Sequence, residues 1–359
     1  MGVSRRTVFT GAGAAVAGAT LFPHIAGARS ARGAERNRSH QPPVNPLIEQ
    51  RADPQITKHT DGYYYFTATV PEYDRIILRR ARTIAGLGGV EEHVIWNAHS
   101  SGIMANHIWA PELHYIEGAW YIYFAAGASW DQWRIRPYTL RNTSPNPIEG
   151  EWEEMGELNT PWDAFSLDAT VFEHNGVLYH CWAQHIPGLD NNTSLVLAPM
   201  DTPWSIGAEP VEIARPTLPW ERVRYAVNEG AYVLKRNGRL FLTYSGAGTG
   251  PEYSMGLLTA DEDADLMDPA SWYKNPEPVM VSHEGNSVFG PGHNAFTQDE
   301  YDRDVLVYHA RSYEHIDGDP LNDPNRHTRV QLLEWNDDGT PHFPVPSPDG
   351  PVSPWGKQK

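Results

Sequence analysis

The feature that most constrains the fold is a short pattern that recurs along the chain: a polar residue and a glycine, followed at once by a strand rich in aromatic and β-branched residues. Its copies begin at Asp61-Gly62, Glu117-Gly118, Asn175-Gly176 and Asn237-Gly238, and a degenerate fifth copy begins at Asp302. The spacings are 56, 58, 62 and about 65 residues. A polar-glycine pair between strands is typical of a hairpin turn, and a long repeat of strands is typical of propeller blades. The pattern predicts an all-β chain that folds as a five-bladed β-propeller.

A second short strand precedes each turn, so each copy predicts a hairpin. If this first strand is the innermost one of its blade, its opening residue lies at one mouth of the central channel. The opening positions hold Asp53, Glu112, Asp168, Glu229 and His293. Any one of these residues alone is better explained as a strand cap. Four acids and a histidine that converge are poor core material, because an unpaired buried charge is costly, so together they predict a functional site.

Composition excludes several classes of function. The chain carries 28 Lys and Arg against 45 Asp and Glu, a formal charge of −17, which disfavours binding to nucleic acid or to anionic membranes. The natural partners are therefore expected to be neutral or cationic. Cys181 is the single cysteine, so the chain can form no internal disulfide and no cysteine-based metal centre. No apolar run reaches the length of a membrane span.

The two ends of the sequence have a different character from the repeats. Residues 1–28 contain Arg5-Arg6, a short run of small apolar residues and a small-residue cleavage site, which is the pattern of a twin-arginine (Tat) signal peptide for bacterial export. Residues 29–45 are polar and predict a disordered linker. The propeller is predicted over residues 46–345, and residues 346–359 form a proline-rich tail. A secreted protein that acts as a monomer is expected.

The predicted ring of acids suits one kind of chemistry. Two carboxyl groups can hydrolyse a glycosidic bond if one protonates the leaving oxygen while the other activates water or attacks the sugar. The sequence has no GxSxG, HExxH or GxxxxGK[ST] motif that would indicate a different catalytic centre. Trp109, Trp130, Trp133 and Trp162 lie in connecting segments, where an aromatic face can stack on a sugar, although a tryptophan is more often a core residue.

These motifs together resemble glycoside hydrolase family 43, and within it the exo-acting α-L-arabinofuranosidases. The resemblance covers about Asn45 to Phe343, with its motifs in order and one per blade. The segments that carry it are RADPQITKHTDGYYYFTA, HIWAPELHYIEGAWYIYFAA, SLDATVFEHNGVLYHCWAQ, NEGAYVLKRNGRLFLTYSGAGT, DPASWYKNPEPVM, GPGHNAFT and YHAR.

The resemblance implies hydrolysis by single displacement with inversion at the anomeric carbon. It implies that Asp53 is the general base, that Glu229 is the general acid, and that Asp168 positions the acid and raises its pKa. By the same resemblance, His293 matches a histidine near the channel axis that ligates calcium or an ordered water in some members. Calcium would then be a possible structural ion, and no cofactor is required for the reaction.

Three further residues are expected to meet the substrate. The resemblance implies that Arg311 in the YHAR motif reaches sugar hydroxyls and that Trp109 forms a wall of the sugar pocket. Glu112 matches no proton-transfer role, so a hydrogen bond to substrate and a structural strand cap are both open.

The sequence therefore predicts an enzyme that releases terminal L-arabinofuranose from arabinan or arabino-oligosaccharides of the plant cell wall. A β-xylosidase or an endo-arabinanase of the same family is the nearest alternative, because pentose specificity depends on loop shapes. The related fructan-cleaving propellers, which retain configuration, are disfavoured by Ala-Asp-Pro-Gln around Asp53. A carbohydrate-binding propeller without catalysis is the alternative from a different class.

Overall fold

The computed structural model describes residues 41–355, so the predicted export signal at 1–28, most of the predicted linker and the last four residues lie outside the described residues. Five antiparallel sheets follow one another along the chain, each built from consecutive strands. The prediction of an all-β, five-bladed propeller is confirmed.

The strands are numbered in chain order, and each blade takes its strands from one continuous segment. The chain begins with β1 (Val44–Asn45). Blade 1 consists of β2 (Ala52–Lys58), β3 (Tyr64–Thr69), β4 (Arg75–Ala81) and β5 (His93–Asn97). Blade 2 consists of β6 (Asn106–Ile116), β7 (Ala119–Gly127), β8 (Arg136–Asn142) and β9 (Glu153–Glu157). Blade 3 consists of β10 (Ser166–His174), β11 (Val177–Gln184), β12 (Ser194–Thr202), β13 (Ser205–Ile206) and β14 (Val211–Ala214).

The last two blades and the C-terminal strands follow the same order. Blade 4 consists of β15 (Asn228–Arg236), β16 (Arg239–Gly246), β17 (Ser254–Asp261) and β18 (Tyr273–Lys274). Blade 5 consists of β19 (Phe289–Gln298), β20 (Asp304–Arg311) and β21 (His327–Leu332). Three short strands come last, β22 (Glu334–Trp335), β23 (Pro341–His342) and β24 (Gly350–Pro351). Short 3₁₀ helices lie in the connections at Ala85–Gly89, Pro219–Arg222, Pro269–Ser271, Glu284–Asn286 and Pro320–Asn322.

The predicted hairpins are those that join the first two strands of each blade. In the Asn237-Gly238 turn both residues have left-handed φ values, 54° and 74°, and Glu117-Gly118 and Asn175-Gly176 have the same combination. This is the backbone of a type I′ turn, whose twist matches that of the flanking strands. The polar-glycine pairs therefore occur where the backbone needs them.

The first strand of each blade is the innermost one, as predicted. The five first strands contact one another in a closed circle, from β2 through β6, β10, β15 and β19 back to β2. Five apolar clusters each lie between the faces of two neighbouring blades, and a sixth joins blades 2 and 3 around Trp109 and Leu167. Cys181 is fully buried in the cluster between blades 3 and 4, and no other described residue could pair with it. The core thus fixes the blades against one another and leaves the inner strand ends to form a site.

Both ends of the described chain close the ring at blade 5. The amide of Asn45 donates from Nδ2 to the carbonyl oxygen of Val330 at 2.9 Å, and the Val330 N–H donates to Asn45 Oδ1 at 2.9 Å. The Leu47 N–H donates to the carbonyl oxygen of Thr328 at 2.8 Å. The segment before blade 1 therefore runs along the outer strand of blade 5, and β24 pairs with β1 on its far side.

Two predicted boundaries are wrong where the structure describes them. The linker prediction extended to residue 45, but Asn45 is only 1% exposed and β1 belongs to the ring. The tail prediction began at residue 346, but Val352 is 4% exposed and Asp349 forms an ion pair with the buried Arg329. Proline-rich composition disfavours regular strands, yet it does not prevent a segment from packing through single apolar residues.

Candidate active site

The innermost strand of every blade is interrupted by a β-bulge near one mouth of the channel. At each bulge one residue has a left-handed backbone. These residues are Asp53 (φ 52°), Ala110 (φ 46°), Asp168 (φ 55°), Gly230 (φ 58°) and His293 (φ 45°). A left-handed backbone is uncommon for residues with a Cβ, and a bulge re-aims the side chain that it carries. One local device, repeated in each blade, therefore sets the direction of the side chains at this mouth.

Side chains of neighbouring blades hold several of these bulges in place. The bonds run from Asp53 N to His309 Nδ1 at 3.0 Å, from Ala110 N to Thr69 Oγ1 at 2.7 Å, from His293 N to Ser245 Oγ at 2.8 Å and from Gly230 N to Asp168 Oδ2 at 3.1 Å. Thr69, Ser245 and His309 occupy equivalent places on the second strands of blades 1, 4 and 5, each opposite the residue before a bulge. The strained backbone is thus stabilised between blades rather than within one.

Four of the five residues predicted to converge line one cavity of about 510 Å³. They are Asp53, Asp168, Glu229 and His293, and each carboxyl comes from a different blade. The carboxyl groups of Asp53 and Asp168 are largely shielded from solvent, since these residues are 8% and 7% exposed, and Glu229 is partly buried. The cavity has the size of an ordinary small-ligand site.

Asp53 is surrounded by cationic and imidazole groups. Its Oδ1 lies 3.2 Å from His293 Nδ1, 3.3 Å from His309 Nδ1 and 3.4 Å from Arg326 Nη1. Burial alone raises the pKa of a carboxyl, but His293 and Arg326 outweigh it and hold the pKa of Asp53 well below its ordinary value. Because the guanidinium of Arg326 is charged at every relevant pH, Asp53 stays ionised.

The pKa of Glu229 is shifted in the opposite direction, upward. Burial and the negative charge of Asp53 raise the pKa of Glu229 to about 7, although a hydrogen bond from Tyr253 and the charge of Arg326 oppose the rise. The Tyr253 hydroxyl donates to Glu229 Oε1 at 2.8 Å. Glu229 is therefore a carboxyl group that still carries a proton near neutral pH.

Asp168 lies close to Glu229, because it accepts the N–H of the next residue, Gly230. Burial and the charges of Glu229 and Asp53 raise the pKa of Asp168, while the Gly230 N–H that it accepts lowers the pKa. That bond runs to the residue directly after Glu229, so Asp168 fixes the backbone of the acid-bearing strand. The pair holds a proton more tightly than either carboxyl would in water, because two buried like charges repel.

His293 points its Nδ1 at two of these carboxylates, at 3.2 Å from Asp53 Oδ1 and 3.7 Å from Asp168 Oδ2. Burial lowers the pKa of His293, which favours the neutral imidazole. Calcium prefers a cage of six or more oxygen ligands. Within residues 41–355 no three or more His, Cys, Asp or Glu side chains converge as metal ligands. The carboxylates near His293 contact Arg326, His309 and a backbone amide. The calcium ion or ordered water that the resemblance implied at His293 stays a prediction.

Aromatic and aliphatic side chains form the walls of the cavity. Trp109 lines it, as predicted, and so do Phe165 and Leu167. Trp133 and Tyr225 stand at its rim, 51% and 52% exposed. An apolar wall with exposed aromatic rings is suited to the C–H faces of a sugar.

Glu112, the fifth residue predicted to converge, does not line the cavity. The bulge of blade 2 places Ala110, and not Glu112, at the position equivalent to Asp53. Glu112 lies two residues farther along β6, where it accepts a hydrogen bond from His114 Nε2 at 2.8 Å, and it does not line the cavity. Its predicted opening position is wrong, because counting back from the turn ignores where the bulge falls.

The expected contact between Arg311 and the sugar is also wrong. Arg311 is 1% exposed, and its three guanidinium nitrogens donate to Asp323, to the carbonyl oxygen of Thr249 and to the carbonyl oxygen of Pro320. It holds the loop that carries Leu321 into the cavity wall. The arginine that does line the cavity is Arg326, which precedes β21.

Sequence reasoning also missed Tyr253 and His309, which contact Glu229 and Asp53. His309 lies inside the YHAR motif, so the motif identified the correct strand, but the residue at the site is His309 and not Arg311. Nothing in the sequence around Arg326 or Tyr253 marks either residue as part of a site.

The arrangement defines a class of protein: a five-bladed propeller with an ionised and a protonated carboxyl group in one cavity. Comparison with known proteins places it more closely. The profile of the glycosyl hydrolases family 43 matches residues 43–341. The chain belongs to this family, and the family resemblance predicted from its motifs is confirmed.

Relatives within the family are close in sequence. The extracellular exo-alpha-(1->5)-L-arabinofuranosidase of Streptomyces avermitilis is 56% identical over 86% of this chain and 64% of its own length. A protein of the same name from Streptomyces chartreusis is 54% identical over 88% of this chain and 94% of its own length. The chain thus spans a little less than two thirds of the first relative and nearly all of the second.

A solved structure agrees with the family match and with the similarity to the sequence relatives. The crystal structure of an alpha-L-arabinofuranosidase from Lactobacillus brevis is 51% identical, with a TM-score of 0.83, over 86% of this chain and 98% of that one. A thermostable family-43 glycoside hydrolase at 21% identity has a TM-score of 0.70, which supports the fold alone. No helix of the described residues is long and apolar enough to cross a membrane.

Proposed function

We propose that this chain is an exo-acting α-L-arabinofuranosidase that releases terminal L-arabinofuranose from arabinan or arabino-oligosaccharides with inversion. The observation that carries the proposal is the opposite protonation of two carboxyl groups in one cavity, with Asp53 ionised and Glu229 protonated up to about pH 7. A hydrolase of this type needs one carboxyl as base and another as acid at the same pH.

The reaction would run in a single displacement. Asp53 takes a proton from a water molecule, whose oxygen forms a bond to the anomeric carbon. The bond from that carbon to the leaving oxygen breaks, and Glu229 gives its proton to that oxygen. Asp168 positions the strand of Glu229 by accepting the Gly230 N–H.

The substrate class is supported by the relatives and by the cavity. The relatives from both Streptomyces species are named for an exo activity on α-1,5-linked L-arabinofuranose. An apolar wall with Trp109 and Phe165, and aromatic rings at the rim, suits an uncharged sugar. Because the same two relatives are named extracellular, we propose that the protein is exported, through the Tat signal at residues 1–28.

Proton NMR of the sugar released from linear α-1,5-linked arabino-oligosaccharides tests the proposal. Spectra recorded before mutarotation should show β-L-arabinofuranose, because inversion converts an α linkage into a β product. An α product would contradict single displacement. Release of internal oligosaccharides in place of arabinose would favour an endo activity, such as that of the arabinan endo-1,5-alpha-L-arabinosidase from Aspergillus fumigatus, which is 25% identical over 56% of this chain.

The two roles can be separated with Glu229→Gln and Asp53→Asn. We expect Glu229→Gln to lose about 10²–10⁴-fold in kcat/KM on oligosaccharides and far less on an aryl arabinofuranoside, whose leaving group needs little protonation. Asp53→Asn should be nearly inactive on both substrates. Equal losses for Glu229→Gln on the two substrates would contradict the acid role, and substantial activity of Asp53→Asn without added azide would contradict the base role.

A further inference from the structure

Two buried side chains that the proposed chemistry does not use connect the acid to the base. The Tyr253 hydroxyl donates to Glu229 Oε1 at 2.8 Å. The Tyr253 ring stacks on the imidazole of His309, with centroids 5.7 Å apart and planes 5° from parallel. His309 Nδ1 in turn accepts the backbone N–H of Asp53 at 3.0 Å and lies 3.3 Å from Asp53 Oδ1.

The residue at position 309 is unusual for its place in the repeat. The equivalent positions in blades 1 and 4 are Thr69 and Ser245, whose hydroxyl oxygens accept the backbone N–H of the next bulge. A hydroxyl is therefore sufficient to hold a bulge. At the junction of blade 5 with blade 1 the chain uses a histidine, which holds the Asp53 bulge and also presents a flat face to Tyr253.

The bond from Tyr253 distinguishes the two oxygens of Glu229. Since Oε1 accepts from the phenol, Oε2 is the oxygen that carries the acidic proton to the leaving group in the proposed reaction. The other charged or titratable groups that act on Glu229 are Asp53, Arg326 and Asp168. Tyr253 is 1% exposed and does not line the cavity, so it acts through Glu229 and not on the substrate.

We propose that Tyr253 and His309 are positioning residues that form one rigid link between the general acid and the general base. The link fixes the rotamer of Glu229 at one end and the left-handed backbone of Asp53 at the other. Inversion requires a set separation between these groups that leaves room for a water molecule, and the stacked pair maintains it. The inference rests on the proposed function.

Tyr253→Phe tests the acid end, because it removes the hydroxyl and keeps the ring. We expect kcat on arabino-oligosaccharides to fall by roughly tenfold with little change in KM, since the acid loses its orientation but the cavity wall is untouched. The basic limb of the pH profile should move to higher pH, because a hydrogen bond that stabilises the carboxylate is gone. A merely structural role would leave that limb in place.

The matched control is Tyr244→Phe. Tyr244 is also fully buried, and its hydroxyl donates at 2.8 Å to a carboxylate, Glu221, that does not line the cavity. We expect it to lower Tm and to leave the basic limb unchanged. A shift of the limb in both variants would show that loss of any buried phenol loosens the site, and it would overturn the specific link.

His309→Ser tests the other end. Serine can still accept the Asp53 N–H, as Ser245 does for His293, but it cannot stack on Tyr253. We expect a several-fold loss of kcat, and the double variant with Tyr253→Phe should lose little more than the worse single variant, because both changes break the same link. Losses that multiply would overturn the proposal.

Failure of the Tyr253–His309 link and failure of the proposed function would give different results. An active wild-type protein whose kcat and basic limb are unaffected by Tyr253→Phe overturns the link alone. If the wild-type protein hydrolyses another pentoside, the same variants test the link on that substrate. A wild-type protein that hydrolyses no glycoside overturns the proposed function and the link together.

Discussion

At the scale of single residues, the site depends on keeping two nearby carboxyl groups in different protonation states. Asp53 lies against Arg326, His293 and His309. Glu229 accepts one hydrogen bond from a phenol and is repelled by the negative charge of Asp53. Neither state follows from the residue type, since Asp and Glu have similar pKa values in water. The neighbours make the difference, and most of them come from other blades.

The pH profile should report this arrangement. We expect kcat/KM on oligosaccharides to fall above about pH 7, where Glu229 loses its proton. At the acid end, activity falls as Asp53 becomes protonated, and because Arg326 lowers the pKa of Asp53, Arg326→Gln should move the acidic limb to higher pH. Arg326→Lys keeps the charge and is the control. Profiles in which Arg326→Gln leaves the acidic limb unmoved would show that Arg326 has no influence on the base.

Sequence reasoning found the residues that repeat and missed those that do not. Asp53, Asp168, Glu229 and His293 were predicted to meet because each opens the first strand of a repeated hairpin, and all four line the cavity. Arg326 comes from a loop, and Tyr253 from the end of a connection, so neither has a repeated position that would mark it. Arg311 was predicted to contact the sugar because of the YHAR motif, yet hydrogen bonds to Asp323 and two carbonyl groups hold its guanidinium away from the cavity.

At the scale of elements, the bulge determines which residue faces the site. A shift of one residue in a strand sends its side chain to the other face. Hairpin turns can be read from polar-glycine pairs, but a bulge depends on bonds to the neighbouring blade, such as the one from Ala110 N to Thr69 Oγ1. This is why the strands were predicted well and the place of Glu112 was not.

The loop between β7 and β8 presents a rigid aromatic surface to the cavity. Trp133 packs on His107 at 4.9 Å between centroids, and His107 stacks on Trp109 at 4.4 Å. The carbonyl oxygen of Gln132 lies 2.9 Å from His107 Nδ1 and sits so close to Gly127 that a Cβ there would overlap it. The loop is thus fixed by its own packing, and Trp133 is held in place although it is half exposed.

We expect Trp133→Ala to raise KM for arabinotriose by about tenfold, because a stacking surface worth roughly 1–2 kcal/mol is lost outside the reacting carbon. kcat should change little, since no proton-transfer group is touched. Trp130→Ala is the matched control: Trp130 lies in the same loop, is 66% exposed and does not line the cavity. Initial rates with both variants decide the matter, and equal KM values for the two would remove Trp133 from substrate binding.

At the scale of the whole molecule, the site lies where five separate blades meet, so its geometry depends on the ring staying closed. Each of the five apolar clusters between blades is built mainly from two neighbouring blades. In a propeller of this kind most neighbouring blades are also consecutive in the sequence. The exception is the junction between the last blade and the first. The sequence could not reveal that junction, because it joins residues 285 positions apart, such as Asn45 and Val330.

Asn45 is the side chain on which this junction can be tested. It is 1% exposed and satisfies both the N–H and the carbonyl oxygen of Val330. Asn45→Ala leaves both backbone groups buried without partners, which should cost about 2–4 kcal/mol of the free energy of unfolding. Because Asp53 of blade 1 is held by His309 of blade 5, we expect loosening of the junction to lower activity at temperatures below the main unfolding transition.

The measurement is calorimetry together with residual activity over the same temperatures. Tm should fall by roughly 4–10 °C, and the temperature at which activity is lost should fall further than Tm. Asn336→Ala is the control, since Asn336 makes a comparable side-chain bond to Thr340 at 2.9 Å in the exposed turn between β22 and β23. If Asn45→Ala and Asn336→Ala have the same Tm, the Asn45 bonds contribute nothing to closure. If activity and fold are lost at the same temperature, opening of the junction does not precede unfolding, and the ring unfolds as one unit.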